Sequence, residues 1–364
     1  MKQFDKDIYF LRKTLKLAQK AEGFTSPNPL VGAVLVKNGR IIAEGYHKRA
    51  GLAHAEIEAI EQIKGNPKGA TLYVNLEPCC HFGRTPPCVD EIIKKGIKRL
   101  VVATIDPNPK VCGKSIRKMR AAGIRVNVGL LRKEAKKLNE VFFTNISKER
   151  PFVAAKIAQS LDGKIATKKG LSKWITDQKS RLFAKTLRDK YDCVLIGVNT
   201  LIKDNPRLNG LKKKPYKVVI DPNLRLPLSS NLVKENLDKL IIFTSEKSKA
   251  RQKMLPISVK VFFMKESKGY LPLRKILKIL YSLGITSIFV EGGSQTLGRF
   301  FDEKLVDKLY LFISPKIIGG KGSLTSIGGE GFPFPNTCPY IKEVYVKYLG
   351  QDLLICGYPN YGKN

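Results

Sequence analysis

The sequence of 364 residues contains no uninterrupted apolar run of about 18 residues, which excludes a membrane-spanning helix. Its first 24 residues carry charges throughout and have no apolar core, so they do not resemble a secretory signal. Cysteines are few and odd in number, at seven, and a disulfide framework is therefore disfavoured. Together these absences predict a cytoplasmic protein with reduced thiols.

Acidic residues are also scarce: 31 Asp and Glu stand against 66 Lys and Arg, for a net charge of +35. Such an excess can indicate a nucleic-acid partner, but a binding footprint should then be clustered. Here residues 1–147 carry 27 basic and 13 acidic groups, and residues 148–364 carry 39 and 18, so the excess is evenly spread. We therefore predict no nucleic-acid and no membrane partner, and a positive surface that suits phosphorylated small molecules.

The first half of the chain alternates between helical and strand patterns. A helix with apolar spacings of 3, 4 and 3 comes first, and two apolar runs then flank Asn38-Gly39, a strong hairpin signal. Helix, strand, helix, strand, helix and strand follow, and "RKEAKKLNEVFFTNI" closes the segment as a helix. This order predicts a layered α/β/α domain.

The charged segment Ser147–Pro151 predicts a boundary between domains at 1–147 and 148–364. Beyond it, short strands are predicted at "CVLIGV", "KVVID", "LIIFT", "VKVFFM" and "SIFVEGG", with helical stretches between them. "LRKILKILYSLG" is one such helix, and the chain ends in a hairpin that turns at Gly350-Gln351. This pattern predicts a second α/β domain that closes with antiparallel strands.

The three histidines of the chain lie within 35 residues of one another, beside three of the seven cysteines. His54-Ala55-Glu56, followed by Pro78-Cys79 and by Cys88, gives two thiols, an imidazole and a nearby carboxylate. Zinc binds nitrogen and sulfur tetrahedrally, and a catalytic site uses three such ligands and leaves one position for water. A carboxylate that is not a ligand can then carry a proton to the leaving amine. This is the arrangement of zinc deaminases.

The spacing of these residues constrains the local structure. In a continuous helix His54 and Glu56 would be about 200° apart, so they can converge only at a helix N-terminus. Cys79 and Cys88 are nine positions apart, which requires a loop, and "HFGRTPP" supplies one. Cys88 then lies near the start of the next helix, which favours its thiolate. Cys112, Cys193, Cys338 and Cys356 are interpreted as small buried apolar residues.

Several longer stretches carry a resemblance to a known family, among them "TSPNPLVGAVLVKNGRIIAEGYH", "GLAHAEIEAI", "TLYVNLEPCCHFGRTPPCVDEI", "RPFVAAKIAQSLDGKIAT", "LRDKYDCVLIGVNTLIKDNPRL" and "VEGGSQTL". Together, and in this order, they resemble the bifunctional riboflavin-biosynthesis deaminase–reductases. The resemblance covers nearly the whole chain. It implies a cytidine-deaminase-like α/β/α domain followed by a dihydrofolate-reductase-like α/β domain.

For the first domain the resemblance implies hydrolysis of the 2-amino group of 2,5-diamino-6-(5-phosphoribosylamino)pyrimidin-4(3H)-one. One Zn²⁺ per chain would be bound by His54, Cys79 and Cys88, with Glu56 as the proton shuttle and Cys80 as a bystander. The implied substrate pocket consists of Asn28, His47, His81, Arg84 and Thr85. Two simpler interpretations stay open, because Asn28 lies between prolines and could be a turn residue, and Arg84 could be a solvated surface charge.

For the second domain the resemblance implies NADPH-dependent reduction of the ribosyl group of 5-amino-6-(5-phosphoribosylamino)uracil to ribityl. The implied NADPH positions are Ala158, Trp174, Thr200, Asp204, Gly293, Ser294, Gln295, Thr296, Leu297, Gly298 and Arg299, and the substrate positions are Ser172, Arg188, Leu208 and Glu291. Independently, "EGGSQTLG" predicts a helix beginning near Ser294, whose N-terminus suits a phosphate. Trp174, the only tryptophan, could instead pack in a core. Some relatives carry a second arginine where this chain has Leu211, and Arg207 or Lys212 would have to replace it.

An alternative is a nucleoside or tRNA deaminase with a C-terminal module that only binds nucleotide. It would share the zinc ligands but would normally space its cysteines as C-x-x-C, and a tRNA enzyme would interleave aromatic with basic residues. The first domain shows neither feature. The family resemblance also implies a homo-oligomer.

Overall fold

The computed structural model describes residues 2–63, 65–82 and 86–362. The chain divides into two compact units, Met1–Arg150 and Pro151–Asn364. The boundary predicted after residue 147 thus lies three residues before the observed division, near the end of a helix that ends at Lys148. Arg84 and Thr85, two of the predicted pocket residues, lie outside the described residues.

The first unit contains the alternation of helices and strands that the sequence predicts. Its elements are α1 Gln3–Gln19, β1 Gly32–Lys37, β2 Arg40–Tyr46, α2 Ala55–Glu61, β3 Thr71–Leu76, α3 Cys88–Lys94, β4 Arg99–Thr104, α4 Lys114–Ala121, β5 Arg125–Val128, α5 Arg132–Leu138 and α6 Glu140–Lys148. The predicted closing helix is divided at Asn139, whose side-chain amide donates to the carbonyl oxygen of Leu30.

The five strands of this unit form one sheet in the order β2-β1-β3-β4-β5. β1 pairs antiparallel with β2 and β3, whereas β3, β4 and β5 are parallel. Apolar side chains cover both faces, since alternate residues of β1, such as Val34 and Leu35, belong to two separate cores. The result is the predicted α/β/α sandwich, in which α2 and α3 pack against one face and α1 against the other.

The second unit is built on a larger mixed sheet. Its elements are β6 Phe152–Ser160, α7 Gln178–Arg188, β7 Cys193–Gly197, α8 Val198–Asp204, β8 Tyr216–Ile220, α9 Asn231–Glu235, β9 Leu240–Ser245, β10 Lys260–Met264, α10 Leu273–Ser282, β11 Ser287–Val290, α11 Ser294–Asp302, β12 Lys308–Ser314, β13 Tyr340–Leu349 and β14 Asp352–Asn360, with three short 3₁₀ segments. Strands β6 and β12 have no counterpart among the predicted strands.

The nine strands follow the order β10-β9-β8-β7-β11-β6-β12-β14-β13. All neighbours from β10 to β12 are parallel, and β14 and β13 close the sheet antiparallel, as predicted. The parallel arrangement brings the carboxyl ends of β6, β7, β8 and β11 to one edge, where open α/β sheets bind their ligands. Among the described residues, no helix has the length and apolarity needed to span a bilayer.

Candidate active sites

The start of helix α2 brings His54 and Glu56 to the same point. His54 is the N-cap residue with extended backbone (φ −73°, ψ 159°), and the helix begins at Ala55. A Cβ atom on Gly45 of β2 would lie 2.4 Å from the carbonyl oxygen of Ala55, so the glycine allows the helix to start against the strand. The predicted helix start is confirmed, and it removes the conflict between the two side-chain directions.

His54, Cys79 and Cys88 form a cluster of metal-binding donors. Their donor atoms all lie within 4.8 Å of one another, with His54 Nδ1 3.2 Å from Cys88 Sγ and 3.5 Å from Cys79 Sγ. In a tetrahedral zinc site with ordinary bond lengths, nitrogen and sulfur ligands are about 3.6 Å apart. The cluster therefore has the donor types and the spacing that zinc requires.

The two thiols of this cluster differ in acidity: the hydrogen bond with Cys79 and burial raise the pKa of Cys88, so the predicted preference of Cys88 for the thiolate is wrong. A hydrogen bond with the Cys88 thiol, and others from the His54 ring and the Cys88 backbone N–H, lower the pKa of Cys79 although burial opposes the change. The hydrogen bond with Cys79 in turn raises the pKa of His54. Burial raises the pKa of Glu56 to about 7. Glu56 can therefore both take up and release a proton near neutrality.

His47 and Asn28 extend this site as a hydrogen-bonded pair. His47 Nδ1 lies 3.0 Å from the carbonyl oxygen of Ala53, which can only accept, so Nδ1 carries the proton. His47 Nε2 then accepts from the Asn28 side-chain amide at 3.0 Å. Burial lowers the pKa of His47 and keeps the ring neutral, and the ring lies edge-on to His54 with 5.4 Å between centroids. Asn28 is therefore more than a turn residue.

Sequence reasoning assigned no role to Glu77, although it lies two residues before Cys79. Its buried carboxylate accepts hydrogen bonds from the backbone N–H groups of Asp106 at 3.2 Å and Gly113 at 3.0 Å, and from the Ser115 hydroxyl. Glu77 thereby holds residues 106–113 next to the cysteine segment. Burial raises the pKa of Asp106, the first residue of this segment, to about 7. Its burial beside charged neighbours was not visible in the sequence.

His81 and the cysteines outside the cluster differ in burial. His81 is half-buried, and its Nδ1 atom is buried without a hydrogen-bond partner in the described part of the chain. All seven cysteines are free thiols. Cys193 is buried and Cys356 half-buried, but the interpretation of Cys112 and Cys338 as buried apolar residues is wrong, because both are exposed on irregular segments between regular elements.

The second unit contains a cavity of about 1730 Å³ at the carboxyl ends of its parallel strands. The predicted reductase residues line it with a single exception, Gly298. A Cβ atom on Gly298 would lie 2.1 Å from the carbonyl oxygen of Gly328, so this glycine permits close packing of α11 rather than contact with a ligand. Gly293 is the N-cap of α11, as the helix predicted near Ser294 requires.

A buried ion cluster lies on one wall of this cavity. Glu291, at the end of β11, accepts from Arg188 Nε at 2.5 Å and from Arg188 Nη2 at 3.0 Å, and Lys156 Nζ is 3.8 Å away. Burial raises the pKa of Glu291, but the two cations outweigh it and the pKa is lowered. Burial lowers the pKa of Lys156. The cluster therefore keeps an ionised carboxylate inside a cavity.

Two further predicted residues contact each other at the cavity mouth. The Ser172 hydroxyl donates to Asp204 Oδ1 at 3.0 Å, which joins the loop before α7 to the end of α8. Trp174 is 63% exposed and the Arg181 guanidinium stacks on its ring at 4.3 Å. The alternative interpretation of Trp174 as core packing is therefore wrong.

The loop that carries Leu211 is held by Asp189, whose role was not predicted. The Asp189 carboxylate accepts from the backbone N–H groups of Leu211, Lys212 and Lys213 at 3.2, 3.0 and 2.9 Å. Leu211 and Arg207 both line the cavity, but the Arg207 guanidinium pairs with Glu235 at 2.8 Å. Arg207 was one of two residues predicted to replace an arginine at position 211. Its charge is partly offset by Glu235, which makes it a weaker phosphate ligand.

Comparison with known proteins gives a consistent result for both units. The family model described as the cytidine and deoxycytidylate deaminase zinc-binding region matches residues 4–104. The model described as the RibD C-terminal domain matches residues 151–355. The two matches fall on the unit with the His-Cys-Cys cluster and on the unit with the large cavity.

Full-length relatives have the same combination. The chain is 46% identical to the riboflavin biosynthesis protein RibD of Aquifex aeolicus and 35% identical to that of Escherichia coli, over 98% and 96% of this chain and 98% of each relative. The crystal structure of a diaminohydroxyphosphoribosylaminopyrimidine deaminase/5-amino-6-(5-phosphoribosylamino)uracil reductase from Thermotoga maritima is 39% identical, has a TM-score of 0.87, and covers 98% of this chain and 99% of its own. The chain therefore belongs to the RibD family of bifunctional riboflavin-biosynthesis enzymes, which combine a zinc deaminase with an NADPH-dependent reductase.

Proposed function

We propose that residues 1–147 deaminate 2,5-diamino-6-(5-phosphoribosylamino)pyrimidin-4(3H)-one and that residues 148–364 reduce the ribosyl group of the resulting 5-amino-6-(5-phosphoribosylamino)uracil. The observation that carries the first assignment is the His54, Cys79 and Cys88 cluster with buried Glu56 beside it. The second rests on the ion cluster of Glu291 within the cavity that contains the α11 N-terminus.

In the deaminase, His54, Cys79 and Cys88 would hold the metal. When bound there, zinc supplies the Lewis acidity that lowers the pKa of a water. Glu56 takes a proton from the attacking water, whose oxygen bonds to C2, and passes that proton to the 2-amino group, so that the C2–N bond breaks and ammonia leaves. Both nitrogens of the neutral His47 ring are occupied, by Ala53 and Asn28, so His47 would hold the Asn28 amide, whose carbonyl oxygen and second N–H would orient the pyrimidine. The substrate phosphate would bind to His81, Arg84 and Thr85.

In the reductase, bound NADPH supplies a hydride for C1′ of the ribosyl group. The C1′–O4′ bond opens and O4′ takes up a proton, which gives the ribityl chain. Ionised Glu291 would accept hydrogen bonds from sugar hydroxyl groups, and Arg188 and Lys156 keep it ionised. Three Arg188 nitrogens already donate within the protein, to Glu291 and to the carbonyl oxygen of Asn209, so Arg188 keeps only part of its donor set for substrate.

Two assays on the purified chain test this proposal. Ammonia release from the diaminopyrimidinone should require zinc, and loss of NADPH absorbance should follow when the deaminated uracil is supplied directly. Cytidine and adenosine should give no ammonia. A chain that deaminates cytidine, or that binds NADPH without oxidising it, would favour the alternative of a nucleoside deaminase with a nucleotide-binding module.

We also propose that the chain is a cytoplasmic homo-oligomer. None of the seven cysteines forms a disulfide, which is compatible with a reducing compartment. Strand β13 lies at the edge of the nine-stranded sheet and exposes Tyr345, Val346 and Tyr348 by 59%, 50% and 76%. An exposed apolar edge strand is a natural place for pairing with a second copy. Light scattering after size-exclusion chromatography should give a multiple of the chain mass, and a monomer would contradict this part.

A further inference from the structure

The predicted positions for NADPH and substrate occupy only part of the cavity. Ala158, Lys156 and Glu291 lie on β6 and at the end of β11, and Gly293 and Thr200 lie where β11 and β7 lead into α11 and α8. The cavity continues beyond them to the end of β8, where Pro222, Asn223 and Arg225 line it. None of the residues predicted to bind NADPH or substrate belongs to this last part.

The order of the strands indicates which part of NADPH lies at the β8 end of the cavity. From β6 the sheet runs through β11 and β7 to β8, and neighbouring strands are about 4.8 Å apart, so the edge from β6 to β8 measures about 14 Å. The reacting sugar and the nicotinamide belong at the Glu291 end, and the pyrophosphate belongs at the N-terminus of α11. The adenosine half of an extended dinucleotide must then lie toward β8.

At this end of the cavity, Arg225 is the basic residue whose charge can bind an anionic ligand. Its Nη2 atom donates to Asn199 Oδ1 at 2.7 Å, which fixes the guanidinium beside the first turn of α8 without neutralising it. Lys247 lines the same part of the cavity, but its ammonium is 3.2 Å from the Glu266 carboxylate. Among the described residues, no carboxylate forms an ion pair with Arg225.

We propose that Arg225, positioned by Asn199, binds the 2′-phosphate of NADPH and selects this cofactor over NADH. The two cofactors differ only at the ribose 2′ position, which carries a phosphate dianion in NADPH and a neutral hydroxyl in NADH. A guanidinium presents five N–H donors in a planar fork that matches phosphate oxygens, and Asn199 occupies one of them. This proposal rests on the assignment of the cavity as the NADPH site.

Equilibrium binding of NADPH and of NADH tests the proposal without turnover. Trp174 is the only tryptophan and lines the cavity, so quenching of its fluorescence reports both cofactors. Arg225→Ala should weaken NADPH binding about 10- to 100-fold, the cost of losing charge-assisted hydrogen bonds, and should change NADH binding by less than about 3-fold. Arg225→Lys should keep part of the preference, and Lys247→Ala, the matched control, should keep most of it.

The outcomes distinguish the role of Arg225 from the reductase function of the second unit. Equal weakening of both cofactors by Arg225→Ala, or a preference that survives Arg225→Ala and disappears in Lys247→Ala, overturns the role of Arg225 alone. A wild-type chain that binds neither cofactor overturns the proposed reductase function as well. Far-UV circular dichroism of each variant, expected to match the wild type because Arg225 is an exposed side chain, excludes a folding defect as the cause of lost binding.

Discussion

The functional side chains of the deaminase site lie close together, whereas those of the reductase site are spread over a much larger volume. In the first, three donor atoms lie within 4.8 Å of one another. In the second, the predicted residues spread around a cavity of about 1730 Å³, and its buried charges are paired with each other. A compact donor set fails as a unit when one member is lost, whereas a distributed site should lose affinity and rate in steps.

The largest expected effect is therefore at the zinc ligands. Cys79→Ser and Cys88→Ser should each lose zinc and more than about 100-fold in ammonia release, since even loss of the outer partners of a metal site costs up to that much. The neighbouring Cys80→Ser, the matched control, should retain both. Metal analysis of the purified variants decides, and a Cys79→Ser protein that keeps its zinc would contradict the ligand assignment. Reduction of supplied uracil substrate should be unchanged in all three.

The second effect tests the paired charges of the reductase cavity. Arg188→Ala leaves the Glu291 carboxylate buried with only Lys156 at 3.8 Å, and breaking a buried ion pair costs about 3 kcal/mol or more. We expect a lower unfolding temperature for the second unit and loss of NADPH oxidation, with ammonia release maintained. Scanning calorimetry and the two assays measure this. Equal damage to both activities would show that the variant misfolds the whole chain.

The third effect concerns a comparable buried ion pair that lies away from the chemistry. In the first unit Asp7 accepts from Arg99 Nη2 at 2.6 Å and from the Tyr73 hydroxyl at 2.7 Å. Burial raises the pKa of Asp7, but these hydrogen bonds together lower it below the usual 3.8. A carboxyl group with a lowered folded pKa contributes its full stability above 3.8 and loses it as the pH falls further.

Asp7→Asn should accordingly destabilise the first unit most at neutral pH, and the difference from wild type should shrink as the pH falls below about 3.8. Denaturant unfolding of both proteins across that range measures it. Ammonia release at neutral pH and moderate temperature should be maintained, unlike in the Arg188→Ala case. A difference in stability that stays constant with pH would mean that Asp7 does not act as a carboxylate.

The smallest expected effect is a gain in affinity for the reductase substrate. Leu211 is 52% exposed and lines the cavity. Leu211→Arg should lower KM for the phosphorylated uracil substrate by up to about 5-fold, as one partly solvated charge-assisted contact contributes about 1 kcal/mol. The unphosphorylated nucleoside analogue is the control and should show no change. An unchanged KM would indicate that another residue already binds the phosphate.

Much of the fold could be predicted because local patterns determine it. The Asn38-Gly39 hairpin, the alternation of helices and strands, and the helix after "EGG" were all confirmed. β12 was not predicted, although it pairs with β6 along seven residues, since its assignment depends on a neighbour about 150 positions away. The exposure of Cys112 and of Trp174 depends likewise on which surfaces the fold leaves open.

The sequence by itself determined the chemistry of the first site, because His54, Cys79 and Cys88 belong to two residue types that are rare in this chain, lie within 35 positions together with Glu56, and match a zinc ligand set. Only the tertiary structure decided which carboxylates and cations are paired. Glu291 meets Arg188 across 103 positions, Glu77 holds a loop some 30 residues away, and Arg225 reaches Asn199. Such pairs leave no local pattern, since each residue type is common and the energy comes from burial that the packed sheet creates.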